Sequence, residues 1–257
     1  MRRIIRKAII LCTALLLTAV LLSAGCVTEP VSETKPVLLI AVNTEIGAYN
    51  YYDENGNLVG IDIDIAKAIC DEIGMQPAFE DLPFKSILPA VRSGDIDMGI
   101  AGITITAERA QTVDFSHPYT TTWQSFIYNP EKGVNLASLK DIAGKTIGVK
   151  SGTTGESMVK TSYGSIAKKI VSYEQIEDAV RELNSGEIDC IVFDNEMTKT
   201  ILSENPHFKA LDDKSATEDY GIAVQKGNTG LLDKINAAVD KFLADGTIDA
   251  INKKYLN

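Results

Sequence analysis

The sequence predicts an α/β protein of two lobes, with parallel-dominated sheets and two hinge crossings, and three observations carry that expectation. The stretch SGDIDMGIAGITITAER, from Ser93 to Arg109, reads as a helix end, a buried strand, a polar loop and a new helix start. Its first half recurs as SGEIDCIVFD, from Ser185 to Asp194, so that Asp97 and Asp189 stand 92 residues apart. Two further strand-like stretches, WQSFIYNP and KALDDKSATEDY, fall where the chain would pass between two such units.

In each copy a glycine, Gly94 or Gly186, follows a helical pattern, where left-handed backbone costs least for a residue without Cβ. The runs Ile96 to Ile100 and Ile188 to Phe193 are too unbroken for half-exposed strands and read as parallel strands covered on both faces. Ligands of open parallel sheets bind beyond the carboxyl ends of strands. Gly102, Thr104, Thr106 and Arg109 follow the first run, and Asp194 ends the second. Hydroxyls, amides and a guanidinium from one lobe and a carboxylate from the other suit a small zwitterion such as an α-amino acid.

From the N-terminus, Arg2, Arg3, Arg6 and Lys7 precede an apolar run from Ala8 to Leu22 and small residues before Cys26, the pattern of an export signal. Ser23-Ala24-Gly25-Cys26 resembles a lipobox, whose cysteine is lipidated, although Ser23 stands where leucine is usual; a simple signal peptide or an uncleaved anchor are the alternatives. Residues 26–36 have the composition of a solvated tether. VLLIAVN is a short strand, Asn55-Gly56 marks a turn, IDIDIAKAICDEIG is a helix stopped by Gly74, and AFEDLPF makes the next strand and loop. TIGVK is a strand followed by the turn SGTTG, either an anion-receiving nest of backbone amides or an ordinary capping turn. IEDAVRELNSG and EMTKTILSEN are helices on either side of the repeated strand, and the last thirty or so residues read as two helices divided near Asp245-Gly246. This gives a signal over 1–25, a tether over 26–36, a discontinuous first lobe over 37–122 and 220–257, and a second lobe over 123–219.

The formal charge is −10 and becomes −14 once residues 1–25, with four basic residues and no acid, are removed. No basic stripe interleaved with aromatics is present, so nucleic acid is excluded as a partner. Cys70 falls on an apolar helix face and Cys190 in a buried strand, so both read as core residues. His117 and His207 are isolated, which leaves neither metal spacing nor a Cys/His nucleophile and implies no cofactor.

Taken together, ENGNLVGIDIDIAKAI, ILPAVRSGDIDMGIAGITITAERAQTVDFSHPY, IGVKSGTTGE, LNSGEIDCIVFD, DYGIAVQKG and ADGTIDAINKKY resemble the type II periplasmic solute-binding proteins of family 3, the amino-acid branch. The resemblance runs from Val37 to the C-terminus. It implies that Arg109 binds the ligand α-carboxylate; the alternative is a surface arginine paired with Glu108 or Asp114. It implies that Gly102 and Thr104 serve the ammonium and carboxylate, that Asp194 takes the ammonium, and that Thr153 and Thr154 add to the carboxylate site. Thr104 and Asp194 also suit helix capping. Phe84 matches an aromatic that packs on the ligand, while Ile46 and Tyr49 occupy the first-loop positions where the family has another aromatic and Pro-Phe. Asn43 and Lys150 fall where the family contacts the ligand side chain, which favours a glutamine-like or acidic amino acid; a solvated lysine is the plainer reading of Lys150.

The function implied is a non-enzymatic, monomeric, lipid-anchored receptor on the outer face of the cytoplasmic membrane that delivers an amino acid to an ABC transporter permease. Two alternatives remain open from the sequence. One is a cyclohexadienyl dehydratase-like enzyme, with Glu45 or Glu156 as general acid, and the other a sensory binding protein.

Overall fold

A computed structural model of the chain describes residues 35–45 and 47–256, without the side chains of Ser215 and Ala216. The export signal, the lipobox at Cys26, residues 26–34 of the tether and Ile46 lie outside the described residues.

In chain order the first sheet system comprises β1 (Val37–Val42), the hairpin β2 (Tyr51–Tyr52) and β3 (Leu58–Val59), α1 (Ile61–Glu72), β4 (Gln76–Asp81), α2 (Phe84–Ser93), β5 (Met98–Gly99) and β6 (Val113–Phe115). β7 (Thr120–Tyr128) then leads to β8 (Thr146–Lys150), α3 (Thr154–Met158), β9 (Lys169–Tyr173), α4 (Ile176–Ser185), β10 (Cys190–Asp194) and α5 (Asn195–Glu204). The chain returns through β11 (Lys209–Tyr220) and ends with β12 (Ala223–Gln225), α6 (Thr229–Ala244) and α7 (Thr247–Tyr255). The two main sheets have the orders β4-β1-β5-β12-β6 and β11-β7-β10-β8-β9, one in each lobe. β7 and β11 are the two crossings, and they pair antiparallel from Lys209↔Tyr128 to Tyr220↔Thr120.

Parallel pairing does not dominate these sheets. Each holds two parallel and two antiparallel pairings, because β12 in one sheet and β7 in the other run against their neighbours. β5 is parallel to β1 and antiparallel to β12, and β10 is parallel to β8 and antiparallel to β7. Their apolar runs are unbroken because both faces are covered. The first sheet packs α1, α6 and α7 against Ile40, Val42, Met98 and Ile100, and α2 against Ala41, Ile103 and Ala223. In the second, Val149 and Val192 face one core and Ile191 and Phe193 the other.

The repeated motif does the same work twice. Gly94 (φ 83°) and Gly186 (φ 86°) end α2 and α4 in the left-handed region. Asp97 then accepts the Leu39 amide of β1 at 2.9 Å, and Asp189 accepts the Thr146 amide of β8 at 2.7 Å. Each aspartate fixes its strand against the parallel neighbour and so sets where the following loop emerges. Cys70 and Cys190 are buried free thiols in separate cores.

Candidate functional site

The loops after β5, β8 and β10 meet at one pocket between the lobes, with about 410 Å³ of empty space that is in part open to solvent. Eight of the residues singled out in the sequence line it: Phe84, Gly102, Thr104 and Arg109 from one side, and Lys150, Thr153, Thr154 and Asp194 from the other.

Arg109 does not begin a helix. It opens a single 3-10 turn, Arg109–Gln111, too short for aligned peptide dipoles to build a macrodipole, so no dipole cost attaches to its charge. Its Nη1 donates to the Thr104 carbonyl at 2.8 Å and its Nη2 to the Gly152 carbonyl at 3.0 Å, which joins the two lobes. The guanidinium carbon lies 5.7 Å from the centre of the Phe84 ring. Burial lowers its pKa, opposed by Glu218 and Asp194. Asp114 pairs with Lys226 at 2.7 Å and leaves Arg109 to the pocket.

Asp194 ends β10 and precedes α5 without a side-chain capping bond. Its carboxylate instead accepts from Gln124 Nε2 and from the Tyr220 hydroxyl. Burial pushes its pKa up to about 7, with the Tyr220 bond acting against this and the Glu218 charge adding to it. Behind the pocket, the Gly102 amide donates to Asp62 at 2.9 Å. Asp62 is fully buried and also accepts from Asn50 and Tyr119, each at 2.8 Å.

The SGTTG turn is partly a capping device. Thr153 Oγ1 accepts the Glu156 amide at 3.2 Å, and the Gly152 amide is taken by Glu156 Oε2 at 2.8 Å. Lys150 is no solvated lysine: it pairs across the cleft with Glu45, with side chains 6% and 17% exposed. Glu156 is held by Lys160 at 2.7 Å, so neither acid considered for catalysis stands free.

Two expected residues are not brought to the pocket lining. Tyr49 is 2% exposed in the first lobe's core, edge-on to Tyr220 with ring centroids 5.7 Å apart, because Tyr220 reaches it from the far end of the chain. Asn43 is buried at the end of β1 and donates to the Leu82 carbonyl at 3.1 Å. Ile46 lies outside the described residues. Sequence reasoning missed Ile176, Phe193 and Met197, which form the apolar end of the pocket, and Gln124 and Glu218, which hold its polar groups. Nothing local marks these five. Among the described residues no group of three or more His, Cys, Asp or Glu is placed to hold a metal, and no helix is long and apolar enough to cross a membrane.

A model of the bacterial extracellular solute-binding proteins, family 3, matches residues 38–257. A probable histidine-binding protein of Neisseria gonorrhoeae is 32% identical over 96% of this chain and 93% of its own length. The ABC transporter glutamine-binding protein GlnH of Bacillus subtilis is 30% identical over 100% of this chain and 98% of its own. Among solved structures, an ancestral arginine-binding protein bound to arginine superposes with a TM-score of 0.81 at 39% identity, covering 87% of this chain and 100% of that one. An ancestral arginine-binding protein bound to glutamine gives 0.80 at 39% identity, over 86% and 98%.

Proposed function

Because this chain belongs to the bacterial extracellular solute-binding proteins of family 3, whose members here are amino-acid-binding proteins of ABC transporters and not enzymes, we propose that it closes around a polar amino acid, glutamine first, and delivers it to the permease. One observation carries the reading: Arg109 and Asp194 line a single pocket from opposite lobes. A guanidinium suits a carboxylate through two parallel hydrogen bonds, and a carboxylate suits an ammonium. Exchanging the two carbonyls that Arg109 now binds for a ligand carboxylate converts neutral contacts into charged ones.

The far end of the pocket favours an amide. Ile176, Phe193 and Met197 suit methylene groups. Beyond them the Lys150 and Glu45 pair is neutral as a unit, and an amide can donate to one member and accept from the other. An acidic tail finds no free cation there, which withdraws the support that Lys150 lent to an acidic ligand. Arginine is the second reading, favoured by the similarity to an ancestral arginine-binding protein solved with arginine bound, beside one solved with glutamine.

The same reading takes residues 1–25 as the signal, Cys26 as the lipidated anchor, 26–36 as the tether, and 37–122 with 220–257 and 123–219 as the lobes of a monomer at the outer face of the cytoplasmic membrane. A thermal-shift screen of the standard amino acids on the mature protein tests it. A ligand at ~100 Kd adds about 2.7 kcal/mol of stability, and glutamine should give the largest shift. Arginine as best ligand would overturn the side-chain reading alone, whereas no shift with any amino acid would overturn the function.

A further inference from the structure

Glu218 lies on β11, just past the irregularity where its pairing with β7 shifts register between Asp213 and Glu218. From this crossing strand its carboxylate reaches both lobes. Oε2 accepts from Thr104 Oγ1 at 2.8 Å and from Thr154 Oγ1 at 2.7 Å, and Oε1 accepts from Gln124 Nε2 at 3.2 Å. Thr104 belongs to the loop after β5, and Thr154 is the first residue of α3. Their hydroxyl oxygens, from different lobes, stand 3.4 Å apart and converge on one carboxylate oxygen. Arg109 joins the same two loops through the Thr104 and Gly152 carbonyls.

We propose that Glu218 is a positioning residue that clasps the closed lobes together at Thr104 and Thr154 and sets both hydroxyls as acceptors toward the ligand. The inference rests on the amino-acid reading of the pocket. Each threonine hydroxyl has a single proton, and an ionised carboxylate only accepts. With both protons directed to Oε2, what Thr104 and Thr154 present to the pocket is lone pairs. Their partner on the ligand is therefore the α-ammonium, and the α-carboxylate is left to Arg109 and backbone amides. This departs from the expectation that the Thr154 hydroxyl serves the carboxylate. Gln124, which donates to Glu218 and Asp194 alike, ties the clasp to the acid at the ammonium end. Because the clasp needs both lobes together, it acts after capture, and its loss speeds release while leaving encounter unchanged.

Stopped-flow binding of the best amino acid from the screen, on the wild type, Glu218→Gln and Glu218→Asp, tests this. Glutamine has nearly the same size, but its Nε2 cannot accept, so either both threonines lose the acceptor they share at Oε2 or Gln124 loses its acceptor at Oε1 and the clasp its tie to Asp194. The expected result for Glu218→Gln is a dissociation rate raised about tenfold, with the association rate within about twofold and the ligand-free Tm unchanged. A merely structural role would lower the ligand-free Tm and leave the dissociation rate alone, and that result overturns the clasp. So does a loss of affinity carried by slower association. If Glu218→Gln does not fold, Glu218→Asp, which keeps the charge one methylene shorter, should still raise the dissociation rate at least about threefold, and an unchanged rate overturns the proposal. Arg109→Ala in the same series separates the two failures: normal binding by that variant defeats the pocket reading and the clasp with it, whereas lost binding there beside wild-type kinetics in the Glu218 variants defeats the clasp alone.

Discussion

The Tyr220 hydroxyl donates to the Asp194 carboxylate, which links the first lobe's buried tyrosine cluster to the acid at the end of the second lobe's β10. Tyr49 packs edge-on against Tyr220, and Tyr119 lies 6.3 Å from it, so the phenol has little freedom to move away. Asp194 is thus held at a fixed place while burial pushes its pKa up to about 7.

An ammonium ligand needs this carboxylate ionised. Amino-acid affinity should therefore strengthen as pH rises through 7, with Kd falling about tenfold between pH 6 and pH 8, and binding near neutrality should release a proton. Titration calorimetry in buffers of different ionisation enthalpy checks both; a pH-independent Kd with buffer-independent heat would contradict the raised pKa.

Arg109→Ala and Asp194→Ala should each weaken amino-acid binding by at least ~2 kcal/mol, the scale of truncating one member of a buried charge pair. Circular dichroism should show both variants folded. Wild-type affinity in both, with the ligand identified, would remove the site assignment.

Charge at the far end of the pocket should set ligand choice. Lys150→Met leaves Glu45 unpaired in a largely buried position and should move the preference toward arginine, by about tenfold or more relative to glutamine. Glu45→Gln frees Lys150 and should move it toward glutamate. Competition calorimetry with the three amino acids reads the order, and an order unchanged in both variants would take the pair out of the side-chain site.

Asp62 should make the fold pH-sensitive. Burial raises its pKa to about 6, against hydrogen bonds from Tyr119, Asn50 and Gly102. The native state then binds more protons than the unfolded chain between the ordinary aspartate value of 3.8 and about 6, so this contribution is full below that window and is lost as pH rises through it. Wild type should lose about 3 kcal/mol relative to Asp62→Asn between pH 3.5 and pH 7.5, read by urea denaturation of both at each pH. A constant difference would show that the carboxylate does not titrate in that window.

What the sequence determined by itself was local. Apolar runs flanked by residues that stop helices placed β1, β8, β10 and α1, and Gly94 and Gly186 ended their helices because only a residue without Cβ takes φ near 85° without strain. Loops after strand ends then named Gly102, Thr104, Arg109 and Asp194, and the family resemblance added Phe84, Lys150, Thr153 and Thr154, eight residues that share one pocket. The tertiary structure decided what those loops meet. Lys150 finds Glu45 105 positions away, and Thr104 finds Glu218 114 positions away. Asp62, at the start of α1, has the sequence signature of a solvated first-turn acid, yet it is buried under Tyr119 and Asn50. Tyr49 goes to the core for a similar reason, since Tyr220 reaches it from the far end of the chain. Backbone preference and periodicity are set within a few residues, whereas the charge state, hydrogen-bond direction and burial of a side chain depend on groups that only closure of the two lobes brings into contact.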